Sequence, residues 1–284
     1  MTTEQQRFGD VMVTAVLDVS GTVPFDEVFA EGFPPPVPQE MLVRRYPDDY
    51  TDVGWRFRCR CFLVQSPGGI VLVDAGAGPV GSMVHGWLGL VGSLPQDLLE
   101  IGVDPSDVAH VVLTHGHGDH IGWAAIDRGG GSEPMFPNAI HHLHAADLAM
   151  IRAFEDDEDA RWFDDVLGAL EAADVLVATS TDDEVIPGVR LQHTPGHTPG
   201  HRVVRVSTGG ADLVIAGDLL HFTHQLEDAQ WLSPHDEDPA QALVTRRQVF
   251  TEMEGEGSTL ASAHLPSAFS AIARSDGRRW FEPR

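Results

Sequence analysis

Positive charge, cysteine and long apolar runs are all scarce in this chain of 284 residues. Lysine and arginine together number 18 against 43 aspartates and glutamates, a formal charge of −25. A surface of that sign repels phosphate backbones, so nucleic acid is not an expected partner and a polyanionic substrate such as RNA is disfavoured. No apolar run reaches bilayer-spanning length, and the polar start Met1-Thr2-Thr3-Glu4-Gln5-Gln6 is not followed by the apolar segment of a secretory signal. The expectation is a cytoplasmic protein without membrane contact. Only two cysteines occur, in Arg58-Cys59-Arg60-Cys61-Phe62. Alternation along a strand points both to one face, and with no obvious further ligands nearby they read as buried thiols. A Gly-x-Ser-x-Gly nucleophile elbow is missing as well, as are internal repeats and low-complexity linkers.

What is present is an apolar fraction of 42%, enough for a sizeable core in one large α/β domain or two smaller ones. Residues 11–17, 57–65, 70–74, 109–114, 139–142, 189–191, 201–206, 213–216 and 260–264 read as strands. Residues 145–172 and 239–253 read as helical, the latter with Asp238 as N-cap and Pro239 in the first turn. A last short helix is expected over 268–274. Residues 20–54 show little periodicity and hold Phe25, Phe29 and Phe33, which suggests a long loop that packs or binds something. Strands at both ends with helices between them indicate two sheets flanked by helices.

The chemistry concentrates in Thr114-His115-Gly116-His117-Gly118-Asp119-His120, directly after the apolar run Val111-Val112-Leu113. Four potential metal ligands stand within six residues there. His115 and His117 can reach one way, Asp119 and His120 another. Pro195-Gly196-His197, Gly217-Asp218 and Ala263-His264 follow, each after or within an apolar or small-residue segment. Together they supply five histidines and two carboxylates, enough to hold two metal ions.

This set resembles the metallo-β-lactamase superfamily over nearly the whole chain. Val71-Leu72-Val73-Asp74-Ala75-Gly76 is similar to its early Asp-x-Gly strand end, and Thr194-Pro195-Gly196-His197-Thr198-Pro199-Gly200-His201 to its central histidine loop. Gly217-Asp218 resembles the strand end that supplies a bridging carboxylate, which true β-lactamases usually lack. Asp218, Gly217-Asp218-Leu219-Leu220-His221 and Phe136-Pro137-Asn138-Ala139 place the likeness nearest to the lactonase and methyl parathion hydrolase-like branches.

The resemblance implies one four-layer αββα sandwich over residues 1–284, with a long N-terminal loop at 20–54 and a helical insertion at 144–172. It implies that His115, His117 and His197 hold one divalent ion, that Asp119, His120 and His264 hold a second, and that Asp218 bridges them. Zn²⁺ is the expected metal; a His/Asp site also accepts Mn²⁺, Fe²⁺ or Co²⁺. Ions about 3.5–4 Å apart can polarise a carbonyl or phosphoryl oxygen and lower the pKa of water. The implied activity is hydrolysis, by a metal-bridging hydroxide, of a small and largely apolar lactone, carboxylic ester or phosphotriester. Asp119 and His221 are the candidate catalytic side chains; relatives commonly carry a substrate-contacting tyrosine at the position of His221. Asp74 and His201 are expected to support the ligands from behind. Phe25, Phe29, Phe33 and Trp123 are expected to form an apolar wall over the metals, Trp123 standing where many relatives have a second glycine. The remaining histidines lack supporting spacing.

Other readings differ in class. A glyoxalase II-type thioesterase would need a basic C-terminal region for glutathione, and only Arg278, Arg279 and Arg284 cluster there. An iron-dependent persulfide dioxygenase-like oxidoreductase needs one metal, fewer than this ligand set can hold. A non-enzymatic metal scaffold would normally have lost some ligands. The partner is a small molecule in each enzyme reading, and the apolar N-terminal loop could also serve a homodimer.

Overall fold

The computed structural model describes residues 3–29, 35, 37–153, 158–209, 212–227, 231–275 and 278–284. Phe33 lies outside them. Among the described residues two seven-stranded sheets follow the chain in order. The first holds β1 (Thr3–Phe8), β2 (Val11–Pro24), β3 (Gly54–Ser66), β4 (Gly69–Val73), β5 (His110–Val112), β6 (Ile140–His144) and β7 (Leu176–Thr179). Its first four strands pair antiparallel and the rest parallel. The second holds β8 (Glu184–Ile186), β9 (Val189–His193), β10 (Arg202–Val206), β11 (Leu213–Ile215), β12 (Thr259–Ala261), β13 (Phe269–Ser275) and β14 (Arg278–Pro283). Only β11 and β12 run parallel there.

Side-chain alternation explains the layers. Phe62, Val64, Val71, Val73 and Val112 of the first sheet meet Val189, Leu191, Val204, Val206, Leu213 and Ile215 of the second in one buried cluster. Their alternate neighbours Cys61, Leu63, Leu72 and Val111 face outward onto helices Leu94–Glu100 and Glu158–Ala172, through Leu98, Phe163 and Leu167. On the far side, Val203, Val214 and Leu260 pack on Val249, Phe250 and Met253 of helix Pro239–Glu256. Helix, sheet, sheet, helix is therefore the order of layers, the αββα sandwich. Period-2 burial on both sides of each sheet is what holds it.

Two expectations are corrected. Residues 268–274 form no helix: β13 pairs with β12 and β14, and Phe269 enters the inter-sheet core while Ile272 faces the other way. The window is too short and too uniformly apolar for its period to be read. Nor is the 20–54 stretch a structureless loop. β2 continues to Pro24 opposite Gly54 of β3, and the described residues beyond it include helices Phe25–Val28 and Gln39–Arg45. Regular backbone pairing with β3 carries β2 beyond the point where its apolar pattern fades.

Candidate metal centre

The parallel strands β4, β5 and β6 deliver their C-terminal ends to one edge, as open α/β sheets do. Asp74 follows β4 in a left-handed conformation, φ 63°, that costs a non-glycine residue energy. Its carboxylate accounts for the geometry. Oδ1 accepts the Thr114 amide at 2.8 Å, and Oδ2 accepts the Thr114 hydroxyl at 3.0 Å and faces His120 Nδ1 at 2.8 Å. The loop after β5 is thereby clamped, and the short helix Gly118–Ile121 presents Asp119 and His120. The His197 loop is seated against helix Pro239–Glu256 by Gly196, whose φ is 137°; a Cβ there would lie 2.2 Å from Ala242 N.

Asp218 lies between two ligand groups. Its Oδ1 is 2.9 Å from His264 Nε2 and 3.1 Å from His120 Nε2. Its Oδ2 is 3.3 Å from His197 Nε2 and 3.8 Å from His115 Nε2. One ligand atom from each of His115, His117, His197 and Asp218 lies within 4.8 Å of the others, and the same holds for Asp119, His120 and His264. Each set offers room and donors for a cation.

The polar atoms of the centre fit metal ions rather than mere packing. His197 Nε2 faces His115 Nε2 at 3.2 Å and His117 Nδ1 at 2.9 Å, three ring nitrogens converging on one point. His120 Nε2 is buried without a well-aligned hydrogen-bond partner. Meanwhile the opposite nitrogens are anchored: His115 Nδ1 by the Thr114 hydroxyl, His120 Nδ1 by Asp74, His197 Nδ1 by Asp236 and His264 Nδ1 by the Arg58 carbonyl. Anchoring one imidazole nitrogen and leaving the other to the centre is how proteins orient metal ligands. Burial, with repulsion from neighbouring imidazoles, holds His115 and His117 below the ordinary histidine range and His197 at about 3. They are thus kept in the neutral, ligating form.

His201 lies elsewhere: its Nε2 accepts the Asp218 amide at 3.0 Å, and its Nδ1 meets Thr194. It fixes the backbone of Asp218 from behind the ligand groups. His221 Nε2 stands 3.0 Å from Asp218 Oδ2, and its ring stacks on His264 with centroids 5.6 Å apart.

Two carboxylates escaped the sequence reading. Asp147 Oδ2 accepts the Gly116 amide at 3.0 Å and the Thr198 hydroxyl at 2.8 Å, while Oδ1 accepts the Gly200 amide. It ties the His115 loop to the His197 loop. Asp236 Oδ1 is 3.1 Å from His197 Nδ1, and its Oδ2 is 3.5 Å from the Arg246 guanidinium, which also donates to the Leu219 carbonyl at 2.7 Å. Asp236 sits in the acidic run His235-Asp236-Glu237-Asp238, where only the helix-capping role of Asp238 was visible.

A cavity of about 990 Å³ opens over the centre, reaching His117, Asp119, His197, Asp218, His221 and His264. The expected aromatic wall is replaced by another. Phe25 stacks on Tyr50 with centroids 5.9 Å apart inside a separate buried cluster, and Phe29, tilted against Tyr50 at 6.2 Å, packs on the same cluster. Trp123 donates its Nε1–H to Asp18 Oδ1 at 3.1 Å and packs against the first-sheet core. None of these three lines the cavity; Trp55 and Phe57 of β3, Trp87 of helix Met83–Leu88 and Trp162 of helix Glu158–Ala172 do. The long β2–β3 pairing turns Phe25 away, and the indole N–H of Trp123 is drawn to a buried carboxylate.

Among known proteins, a "probable metallo-hydrolase" of Mycobacterium tuberculosis is 29% identical over 194 residues, covering 60% of this chain and 59% of that protein. The chain thus spans about three fifths of the length of that relative. An N-acyl homoserine lactonase of Bacillus cereus is 25% identical over 203 residues, 66% of this chain and 73% of the lactonase. Among solved structures, the hydrolase AbOPH superposes with a TM-score of 0.81 at 24% identity, covering 99% of this chain and 97% of that one. The dizinc quorum-quenching lactonase AidC does so at 0.82 and 19% identity, with 99% and 97% covered. At such identities these structures attest the fold. Residues 54–264 match the model of the metallo-beta-lactamase superfamily, and the chain belongs to that superfamily.

Proposed function

We propose that the protein is a dinuclear metal-dependent hydrolase of small, largely apolar ester-like substrates, a lactone, carboxylic ester or phosphotriester. The observation that carries this reading is Asp218, whose two oxygens face two separate ligand groups. Its family and its lactonase-like relatives support the same reaction class.

His115, His117 and His197 would hold one divalent ion, and Asp119, His120 and His264 the other, with Asp218 between them. Zn²⁺ is the metal we expect. Such ions supply Lewis acidity and water activated at neutral pH. The chain's own residues do the rest. Asp74 and Asp236 fix the orientation of His120 and His197. His221 holds Asp218 Oδ2 through Nε2 and forms part of the cavity wall. The Asp119 side chain is 17% exposed, against 4% or less for Asp218, His120 and His264. Among the ligand carboxylates Asp119 is therefore the one a substrate can reach; held ionised, it is placed to take up the proton that the attacking water gives and to relay it to the departing alkoxide.

The test is a hydrolysis panel on metal-replete protein covering lactones, carboxylic esters, thioesters and phosphotriesters. Turnover of oxygen esters or lactones that is lost on chelation and restored by Zn²⁺ is expected. No turnover across the panel by protein of full metal content would overturn the reading.

A further inference from the structure

The cavity over the centre has an electrostatic character that the metal ligands do not dictate. All 18 positive side chains of this protein are arginines, and there is no lysine. Among the described residues no arginine lines the cavity. The arginines next to the centre are already engaged. Arg58 donates to the Arg56 and Asp48 carbonyls, and Arg60 to the carbonyls of Ala263, Leu265 and Pro266. Arg246 is buried against Asp236 and the Leu219 carbonyl. His85, at the mouth, accepts the Gly81 amide through its Nδ1 at 3.3 Å. An anionic group on a substrate would find no guanidinium among the described residues of the lining.

The opposite charge is well provided for. Trp87 stands at the mouth, 48% exposed, in edge-on contact with Phe57 (centroids 6.4 Å, 65°) and with His235 (6.3 Å, 62°). Its Nε1–H donates to Glu27 Oε2 at 2.6 Å. A carboxylate on the indole N–H adds electron density to the ring, and an indole face is the best aromatic partner for a cation. Glu237 adds an exposed carboxylate to the same lining. The chain's formal charge of −25 extends this potential beyond the mouth.

Building on the hydrolase reading above, we infer that this cavity sorts esters by charge. It favours substrates whose end remote from the scissile bond is cationic, such as a quaternary ammonium, over those whose remote end is anionic. Phe57, Trp87 and Glu237 form the discriminating wall.

The experiment uses three phenyl acetates on the metal-replete protein. Each carries, at the end of a two-carbon spacer para to the ester, a trimethylammonium, a tert-butyl or a sulfonate group. The spacer keeps the leaving group's reactivity nearly constant, and the tert-butyl compound controls for shape. At low salt, kcat/KM for the ammonium ester should exceed that for the sulfonate ester at least tenfold. The ratio should shrink as salt is raised, and Glu237→Arg should lower it at least threefold. A ratio under tenfold in the parent at low salt overturns the proposal. If none of the three esters is turned over, the hydrolase reading is what fails for this class. The charge claim is then decided by binding of the three parent phenols, followed through tryptophan fluorescence. The ammonium phenol should bind at least tenfold more tightly than the sulfonate phenol, and any smaller difference overturns it.

Discussion

Asp236 Oδ1 stands 3.1 Å from His197 Nδ1, with Arg246 on its other oxygen. The buried chain Arg246–Asp236–His197 thus orients an imidazole whose Nε2 points at the centre. Removing such an outer partner typically costs about 10–100-fold in metal affinity. Asp236→Ala is expected to weaken metal binding by that order in a chelator competition, and Asp236→Asn, which keeps an acceptor, by less. Equal affinity in the parent and Asp236→Ala would show that His197 needs no such support.

Asp147 makes a different kind of prediction. It accepts hydrogen bonds from two backbone amides and one hydroxyl, and it is buried. Asp147→Ala leaves those donors without their partner and unties the two histidine loops. The expected loss of stability is about 2–4 kcal/mol, read from urea unfolding of metal-free protein. A loss under about 0.5 kcal/mol would mean that the loops hold each other without it.

Asp49 gives a signed pH dependence. Burial pushes its carboxyl up to about 6, although bonding to Thr223 and the nearby Arg58 oppose the rise. A raised acid favours the folded state when protonated. Its contribution is therefore complete below the ordinary value of 3.8 and is lost as pH climbs through about 6. Relative to the parent, Asp49→Asn should gain up to about 2–3 kcal/mol between pH 4 and pH 7. A stability difference that stays flat across that window would contradict a raised Asp49.

Trp123→Phe removes one donor from the buried Asp18 carboxylate, which also accepts the Ala77, Ser93 and Leu94 amides. We expect a loss of about 1–2 kcal/mol in stability and no change in the size of ester accepted. Trp87→Ala, at the cavity, should alter substrate preference. The reverse pattern, with Trp123→Phe shifting preference and Trp87→Ala silent, would restore Trp123 to the wall.

The difference between what the sequence showed and what it hid has a physical origin. His115, His117, Asp119 and His120 follow a strand end in one short run, so local spacing alone announces them. The alternation that builds the inter-sheet core is equally local, visible in Phe62, Val64, Val71 and Val73. Asp147 and Asp236 act through space, from a helix and a loop far along the chain, and nothing in their neighbours marks them. The aromatic wall is hidden for the same reason: Trp55, Trp87 and Trp162 meet only after β3 and two helices are packed. Phe25 and Phe29 looked available because the register that draws β2 out to Pro24 is set by β3, not by their own surroundings.

In the proposed reaction Asp218 would join two metal sites in one centre. Elemental analysis of the fully loaded parent and of Asp218→Ala decides whether it does. Two equivalents per chain are expected in the parent and at most one tightly held in the variant, with the fold retained by circular dichroism. One equivalent in the parent, or two retained at parental affinity in Asp218→Ala, would contradict it.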